Sequence, residues 1–211
     1  QVEAPLLIRP YLASMTRHEL LIIMTVGMST IAGSVMVVYT TMLTPIYGPG
    51  LIGHFLSASL ISVPAGIMYA NMMIPSDIKT EFPDEQADDL YSSTMDAVTQ
   101  GTKNGLDMFL NISAMLIVVM ALVFLLNAIL GLLPNLNGDP ITLELILGYI
   151  FVPLAWFMGI PWSESLAAGQ LLGVKTALNE FVAYLYLSDV ETYDLSEKSR
   201  LIMLYALCGF A

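Results

Sequence analysis

From Leu20 to Gly53 the chain carries no Asp, Glu, Lys, Arg or His. A helix needs ~20 apolar residues to cross the hydrocarbon core of a bilayer, and this stretch is longer than that. Composition points the same way. Of 211 residues, 56% are hydrophobic and only 12% charged, with a mean hydropathy of +0.74. An ordinary soluble domain carries roughly a quarter charged residues and under half apolar ones. The fold class that follows is an all-α membrane protein. Its formal net charge of −11, from 7 Lys+Arg against 18 Asp+Glu, must then be confined to a few water-facing segments. That acidic balance excludes a nucleic-acid binder, which needs a basic face. The single cysteine, Cys208, excludes a disulfide framework and a Cys-based zinc site.

The apolar runs are interrupted in an unusual way. Small and polar residues, Ser29-Thr30-Ile31-Ala32-Gly33-Ser34, sit in the middle of the first run, so 17–47 reads as a broken transmembrane helix. Residues 51–75 read as a transmembrane helix with a kink at Pro64. Residues 76–107 read as an acidic loop followed by an interfacial helix. They hold Asp77, Glu81, Asp84, Glu85, Asp88, Asp89 and Asp96. A further transmembrane helix is expected over 108–133 and an apolar helix over 141–162. Around Asn179-Glu180 lie two helical limbs, each too short to cross a bilayer, so 163–188 reads as a hairpin that enters and leaves on one side. Backbone broken at membrane depth is tolerated only where protein buries it or it lines a cavity. Residues 189–211 read as a loop and the start of a last broken helix. With its opening Gln1-Val2-Glu3-Ala4-Pro5 and its close inside an apolar run, the chain reads as a fragment of one membrane transport domain.

A weak internal repeat links the two ends. Glu3 stands 30 positions before Gly33, and Glu180 stands 30 positions before Phe210. Each unit reads as a carboxylate-bearing tip, a half-helix, a charged turn, and a membrane helix that reaches small residues. Paired interrupted segments of this kind point to a transporter site at the repeat interface. Spacing alone leaves chance as an alternative.

Specific strings sharpen this. Gln1-Val2-Glu3-Ala4-Pro5-Leu6, Ile31-Ala32-Gly33-Ser34-Val35, Gly159-Ile160-Pro161-Trp162, Asn179-Glu180-Phe181-Val182-Ala183-Tyr184 and Ala206-Leu207-Cys208-Gly209-Phe210-Ala211 resemble the concentrative nucleoside transporters. The resemblance runs through the carboxy-terminal transport part of that family. It implies an inverted-repeat core with two re-entrant helical hairpins and two unwound transmembrane helices, residues 1–16 forming the second limb of the first hairpin. It also implies a cation-coupled nucleoside symporter in a bacterial inner membrane or a plasma membrane, assembled as a homotrimer. The coupling ion would be sodium or a proton, with no other cofactor. By the same resemblance Gln1, Val2 and Glu3 would lie at the first hairpin tip, Gln1 and Glu3 facing the nucleobase. Val2 stands where the family commonly carries a small hydroxyl residue. Val35 would pack on the base, Glu180 would accept hydrogen bonds from ribose hydroxyls, and Phe210 would pack against the nucleoside. Thr30 and Ile31 would ligate sodium through a hydroxyl and a carbonyl.

The chemistry of these residues is consistent with that reading. Glu3 and Glu180 are carboxylates in apolar surroundings, where ionisable groups are costly and tend to be functional. Nucleosides offer hydroxyl and N–H donors, and an ionised carboxylate is an acceptor-only partner. The structural alternative is a carboxylate that caps a hairpin tip or pairs with Lys175. For Thr30 and Ile31 the alternative is small-residue helix packing; for Val35 and Phe210 it is ordinary core. An enzyme is not expected, because no Asp lies inside an apolar span and there is no His-Glu-x-x-His motif. A proton-coupled carrier for a related polar solute and, less well, a channel are the remaining readings.

Overall fold

The computed structural model of the chain describes residues 8, 11, 12, 14–76, 92–134, 140–190 and 192–209. Most of the expected first hairpin limb, including Gln1, Val2 and Glu3, lies outside the described residues, as does Phe210. Eight helices and no strand occur among the described residues. They are α1 (Arg17–Met28), α2 (Gly33–Tyr47), α3 (Leu51–Met73), α4 (Thr94–Leu130), α5 (Leu143–Phe157), α6 (Ser165–Ala177), α7 (Glu180–Ser188) and α8 (Glu197–Leu207).

Local chemistry sets where these helices start and stop. Thr16 and Glu19 form a reciprocal capping box at the start of α1: the Thr16 N–H donates to Glu19 Oε2 at 2.8 Å and the Glu19 N–H to Thr16 Oγ1 at 3.3 Å. Two donors that the first helical turn would leave unsatisfied are thereby engaged. Gly48, with φ of 81°, ends α2 in a conformation that a side chain would strain. α1 lies along α3: the buried His18 hydrogen-bonds through Nδ1 to the Ile74 carbonyl at the far end of α3. Near the other end of the pair, a Cβ placed on Gly66 would lie 3.3 Å from Val26 Cγ2. The helices α3 and α5 both run on through a proline, Pro64 and Pro153.

α3 and α4 are each long and apolar enough to cross a bilayer. α4 differs from the division expected of it. The interfacial helix placed within 76–107 and the transmembrane helix placed over 108–133 fall on one uninterrupted helix of 37 residues, about 55 Å long at 1.5 Å per residue. Polarity changes near Asp107, but a change in polarity does not end a helix. No proline stands there, and Gly101 and Gly105 are accommodated inside the rod. Val123 is the one buried apolar side chain of α4 among the described residues; Ile117 and Phe124 are 70% and 69% exposed. At its carboxy-terminal end Asn127 grips the next helix. Its Oδ1 accepts from the Leu143 N–H at 2.8 Å and its Nδ2 donates to Glu144 Oε2 at 2.9 Å.

α5 and α6 pack backbone to backbone. Gly148 lies on Gly169 and Gln170, and Gly173 on Leu147, so the two helices run in opposite directions. Gly169 and Gly173 are one turn apart, the spacing at which small residues let membrane helices approach closely. α6 and α7 have 13 and 9 residues, each shorter than the ~20 needed to span a bilayer. They are separated only by Leu178 and Asn179. Gln170 of α6 and Tyr186 of α7 line one cavity, so α7 doubles back beside α6.

The core gathers where α2, α3, α7 and α8 meet. Tyr39, Leu43, Leu51, Phe55, Tyr184, Leu204 and Leu207 are all buried there. The phenol of Tyr184 donates to the Leu204 carbonyl at 2.9 Å, which fixes α7 against α8. The start of α8 is pinned from the loop before α6: Glu164 Oε2 accepts from the Ser196 N–H at 3.2 Å and from its hydroxyl at 3.0 Å.

Candidate functional site

Two breaks between helices and one helix end define the region of interest. The first is Ser29–Ala32, between α1 and α2, which is not helical. Ile31 is buried and Thr30 half-buried. Among the described residues no backbone N–H donates to the carbonyls of Thr30 or Ile31. The second interruption is Leu178–Asn179, between α6 and α7. The third follows α8 at Cys208 and Gly209. The first and third touch: a Cβ placed on Gly209 would lie 3.4 Å from the Ser29 carbonyl oxygen and 3.5 Å from its Cα.

Glu180 stands at the second interruption, in the first turn of α7, where unpaired N–H groups make the helix end partially positive. It is only 6% exposed. The hydroxyl of Tyr39, from α2, donates to its Oε1 at 3.1 Å. The other oxygen, Oε2, is buried and has no hydrogen-bond partner. Leaving a buried acceptor unsatisfied is costly, and more so for a charged group. The capping role that could account for a carboxylate here is filled by another residue, and no hydrogen bond joins it to Lys175. Asn179 caps α7, its Oδ1 accepting from the Val182 N–H at 2.9 Å. Lys175 directs its ammonium to the Ala206 carbonyl at 2.9 Å, near the end of α8.

Of the residues singled out in the sequence, Ile31 lies in the same core as Tyr39, Val35 packs against that core, and Glu180 meets Tyr39 directly. Val35 is half-buried against the core, one turn before Tyr39 on the same helix. Tyr39 itself escaped the sequence reading. Its only signal there is a phenol on an apolar helix, a ring with a polar tip that needs a partner when buried.

As for a bound ion, no group of three or more His, Cys, Asp or Glu side chains among the described residues could hold a metal. What the first interruption offers instead is a hydroxyl and freed carbonyls, at Thr30 and Ile31. These hard oxygen donors suit an alkali cation rather than a transition metal.

Two helices long and apolar enough to span a bilayer, paired short helices and, among the described residues, one buried half-satisfied carboxylate fit an integral membrane protein with an internal polar site. Comparison with known proteins makes this specific. The family described as "Na+ dependent nucleoside transporter C-terminus" matches residues 54–211. An uncharacterized transporter of Bacillus subtilis, YutK, is 39% identical over all of this chain and 52% of its own length. The nucleoside permease NupC of Helicobacter pylori is 37% identical over 99% of this chain and 50% of its own. Human solute carrier family 28 member 3 is 37% identical over the whole chain and 32% of its own length. The solved structure of CNTnw in an inward-facing substrate-bound state superposes with a TM-score of 0.77 at 36% identity, covering 99% of this chain and 49% of that one. The chain belongs to the concentrative, sodium-dependent nucleoside transporter family, which is a family of transporters and not of enzymes. It spans about half the length of the bacterial relatives named here.

Proposed function

We propose that the protein containing this chain is a cation-coupled nucleoside symporter that imports its substrate by alternating access. The observation that carries this reading is Glu180 Oε2, a buried acceptor without a partner at a helix break. A ribose hydroxyl is a donor suited to it. In this reading α6 and α7 are the two limbs of a re-entrant hairpin, and α1–α2 and the segment from α8 onward are unwound membrane helices. Val35 packs on the nucleobase, Gln1, Val2 and Glu3 approach it from a first hairpin, and Phe210 closes on the nucleoside. Thr30 and Ile31 supply the hydroxyl and carbonyl for a sodium ion. The description of the matched family supports sodium as coupling ion, with a proton as the competing outcome. The exposed apolar surface of α4 faces lipid or neighbouring protein, as a homotrimer in a bacterial inner membrane or a plasma membrane requires.

Uptake in proteoliposomes made from the full-length protein tests this. Glu180→Ala abolishes sodium-driven uridine uptake, and wild-type uptake in that variant defeats the ribose-contact role. A panel of nucleosides and bare nucleobases, run with a sodium gradient and again with only a proton gradient, identifies the coupling ion and the base preference.

A further inference from the structure

Tyr39 has a position that core packing alone does not require. It is 1% exposed, and its ring is held among Tyr184, Phe55 and Phe181 at centroid distances of 4.4, 6.2 and 6.3 Å. Its hydroxyl therefore has one direction in which to point, and it points at Glu180 Oε1. A phenol carries a single proton to donate. Giving it to Oε1 makes the two carboxylate oxygens inequivalent, one held by protein and one left buried without a partner. The terminal torsion of a glutamate is otherwise broad, so an unheld carboxylate would present either oxygen over a range of angles.

We propose that Tyr39 is a positioning residue that holds Glu180 Oε1, so that Oε2 is the oxygen presented to one ribose hydroxyl of the substrate. This rests on the reading of Glu180 as the ribose-binding carboxylate. Tyr39 touches no substrate in this scheme; it acts through Glu180. Its contribution is therefore tied to a single hydroxyl of the ligand rather than to binding in general. Lys175, the one Lys or Arg on α6, donates to the Ala206 carbonyl and makes no hydrogen bond to Glu180, although its charge lies near enough to act on the carboxylate.

The test is a cycle between protein and ligand, using the full-length protein in proteoliposomes with uridine, 2′-deoxyuridine and 3′-deoxyuridine as substrates. Tyr39→Phe keeps the ring in its aromatic setting and removes only the donor. The apparent KM for uridine rises roughly tenfold, the scale of one hydrogen bond to a charged group, while Vmax changes little. That loss disappears for whichever deoxy analogue lacks the hydroxyl that meets Oε2. In a Glu180→Gln background, Tyr39→Phe adds no further loss. A packing defect would instead weaken all three substrates alike, so equal losses overturn the proposal, as does an unchanged KM for uridine. KM ratios within one preparation are insensitive to how much of the protein has folded. A wild-type KM for uridine in Glu180→Gln itself is a distinct outcome: it removes the reading of Glu180 and the proposal with it.

Discussion

Gly169 is the position where a single methyl group should matter most. A Cβ added there would lie 2.4 Å from the Gly148 carbonyl oxygen and 3.2 Å from the Val152 nitrogen, both backbone atoms of α5. Ordinary carbon contacts lie at about 3.5–4 Å, so α5 and α6 must separate by roughly 1 Å to admit it. No side chain can turn aside to absorb the change. Forced overpacking of this kind costs about 1–3 kcal/mol. The neighbouring glycines grade the effect. At Gly173 the obstacle is Leu147 Cβ at 2.7 Å, fixed to its backbone; at Gly148 it is Gln170 Cγ at 2.6 Å, on a flexible side chain. The expected order of destabilisation is Gly169→Ala, then Gly173→Ala, then Gly148→Ala. Gly105→Ala on α4, where a Cβ meets nothing within 4 Å, is the control. It is neutral or stabilises by up to about 1 kcal/mol, because alanine loses less backbone freedom in a helix.

The assay is thermal unfolding of the full-length protein in detergent, followed by the loss of its monodisperse peak on size exclusion. Gly169→Ala melts several degrees below wild type and Gly105→Ala does not. If Gly169→Ala melted with wild type, or if Gly148→Ala were the most harmful of the three, the close backbone packing of α5 on α6 would be refuted. The consequence reaches the site, since α6 leads through only Leu178 and Asn179 to Glu180.

Two further outcomes follow from polar contacts at the edges of the fold. Asn127→Ala leaves the Leu143 N–H uncapped and the Glu144 carboxylate without its amide partner, costing about 1–2 kcal/mol; the same melting measurement registers it, and Asn127→Asp, which retains the acceptor but sets a second carboxylate against Glu144, does not restore the wild-type value at neutral pH. Glu164, in the loop before α6, has its carboxyl held below the usual carboxylate range by hydrogen bonds from Ser199 and Ser196 and by the nearby Arg200. Its folded value being depressed, its stabilising effect is present above the ordinary carboxylate range and is lost as pH falls through and below that range. Melting temperature against pH therefore shows a decline on the acid side that is shallower in Glu164→Gln, and superimposable profiles would remove the role given to Glu164 in anchoring α8.

The helix interruptions were legible in the sequence because each is written in residues that cannot continue an apolar helix unnoticed. Ser29-Thr30 breaks an uncharged run and Asn179-Glu180 a largely apolar one, and both fall where the structure places an end of one helix and the start of the next. The extent of α4 was not legible, because hydropathy reports where a helix is wet and not where it ends. The tight α5–α6 face was also hidden. Gly169 and Gly173 carry a packing spacing, but their partner Gly148 is chosen only when α5 folds back. Tyr39 and Glu180 are 141 positions apart, and nothing local in either segment names the other. Pairings of that range are set by how α2, α7 and α8 share a core.

Breaking a helix inside a membrane protein leaves backbone groups that lipid cannot satisfy. The break between α1 and α2 and the end of α8 cover one another, a Cβ on Gly209 lying at van der Waals contact with Ser29. The ends so exposed are of opposite electrical character. α2 and α7 begin with free N–H groups and partial positive charge; α1 and α8 end with free carbonyls and partial negative charge. The Lys175 ammonium already occupies one of those carbonyls, that of Ala206. Between α1 and α2 the carbonyls of Thr30 and Ile31 accept from no backbone N–H among the described residues, and a buried oxygen of Glu180 also lacks a donor. On the proposed function, a cation answers the first need and a hydroxylated substrate the second. Both ligands would stabilise the same packing of the interruptions, so each would strengthen binding of the other by an equal factor. Uridine affinity measured across sodium concentrations, and sodium affinity measured across uridine concentrations, must then shift by equal ratios. A uridine affinity that did not change with sodium concentration would mean that the two sites do not share one packed state.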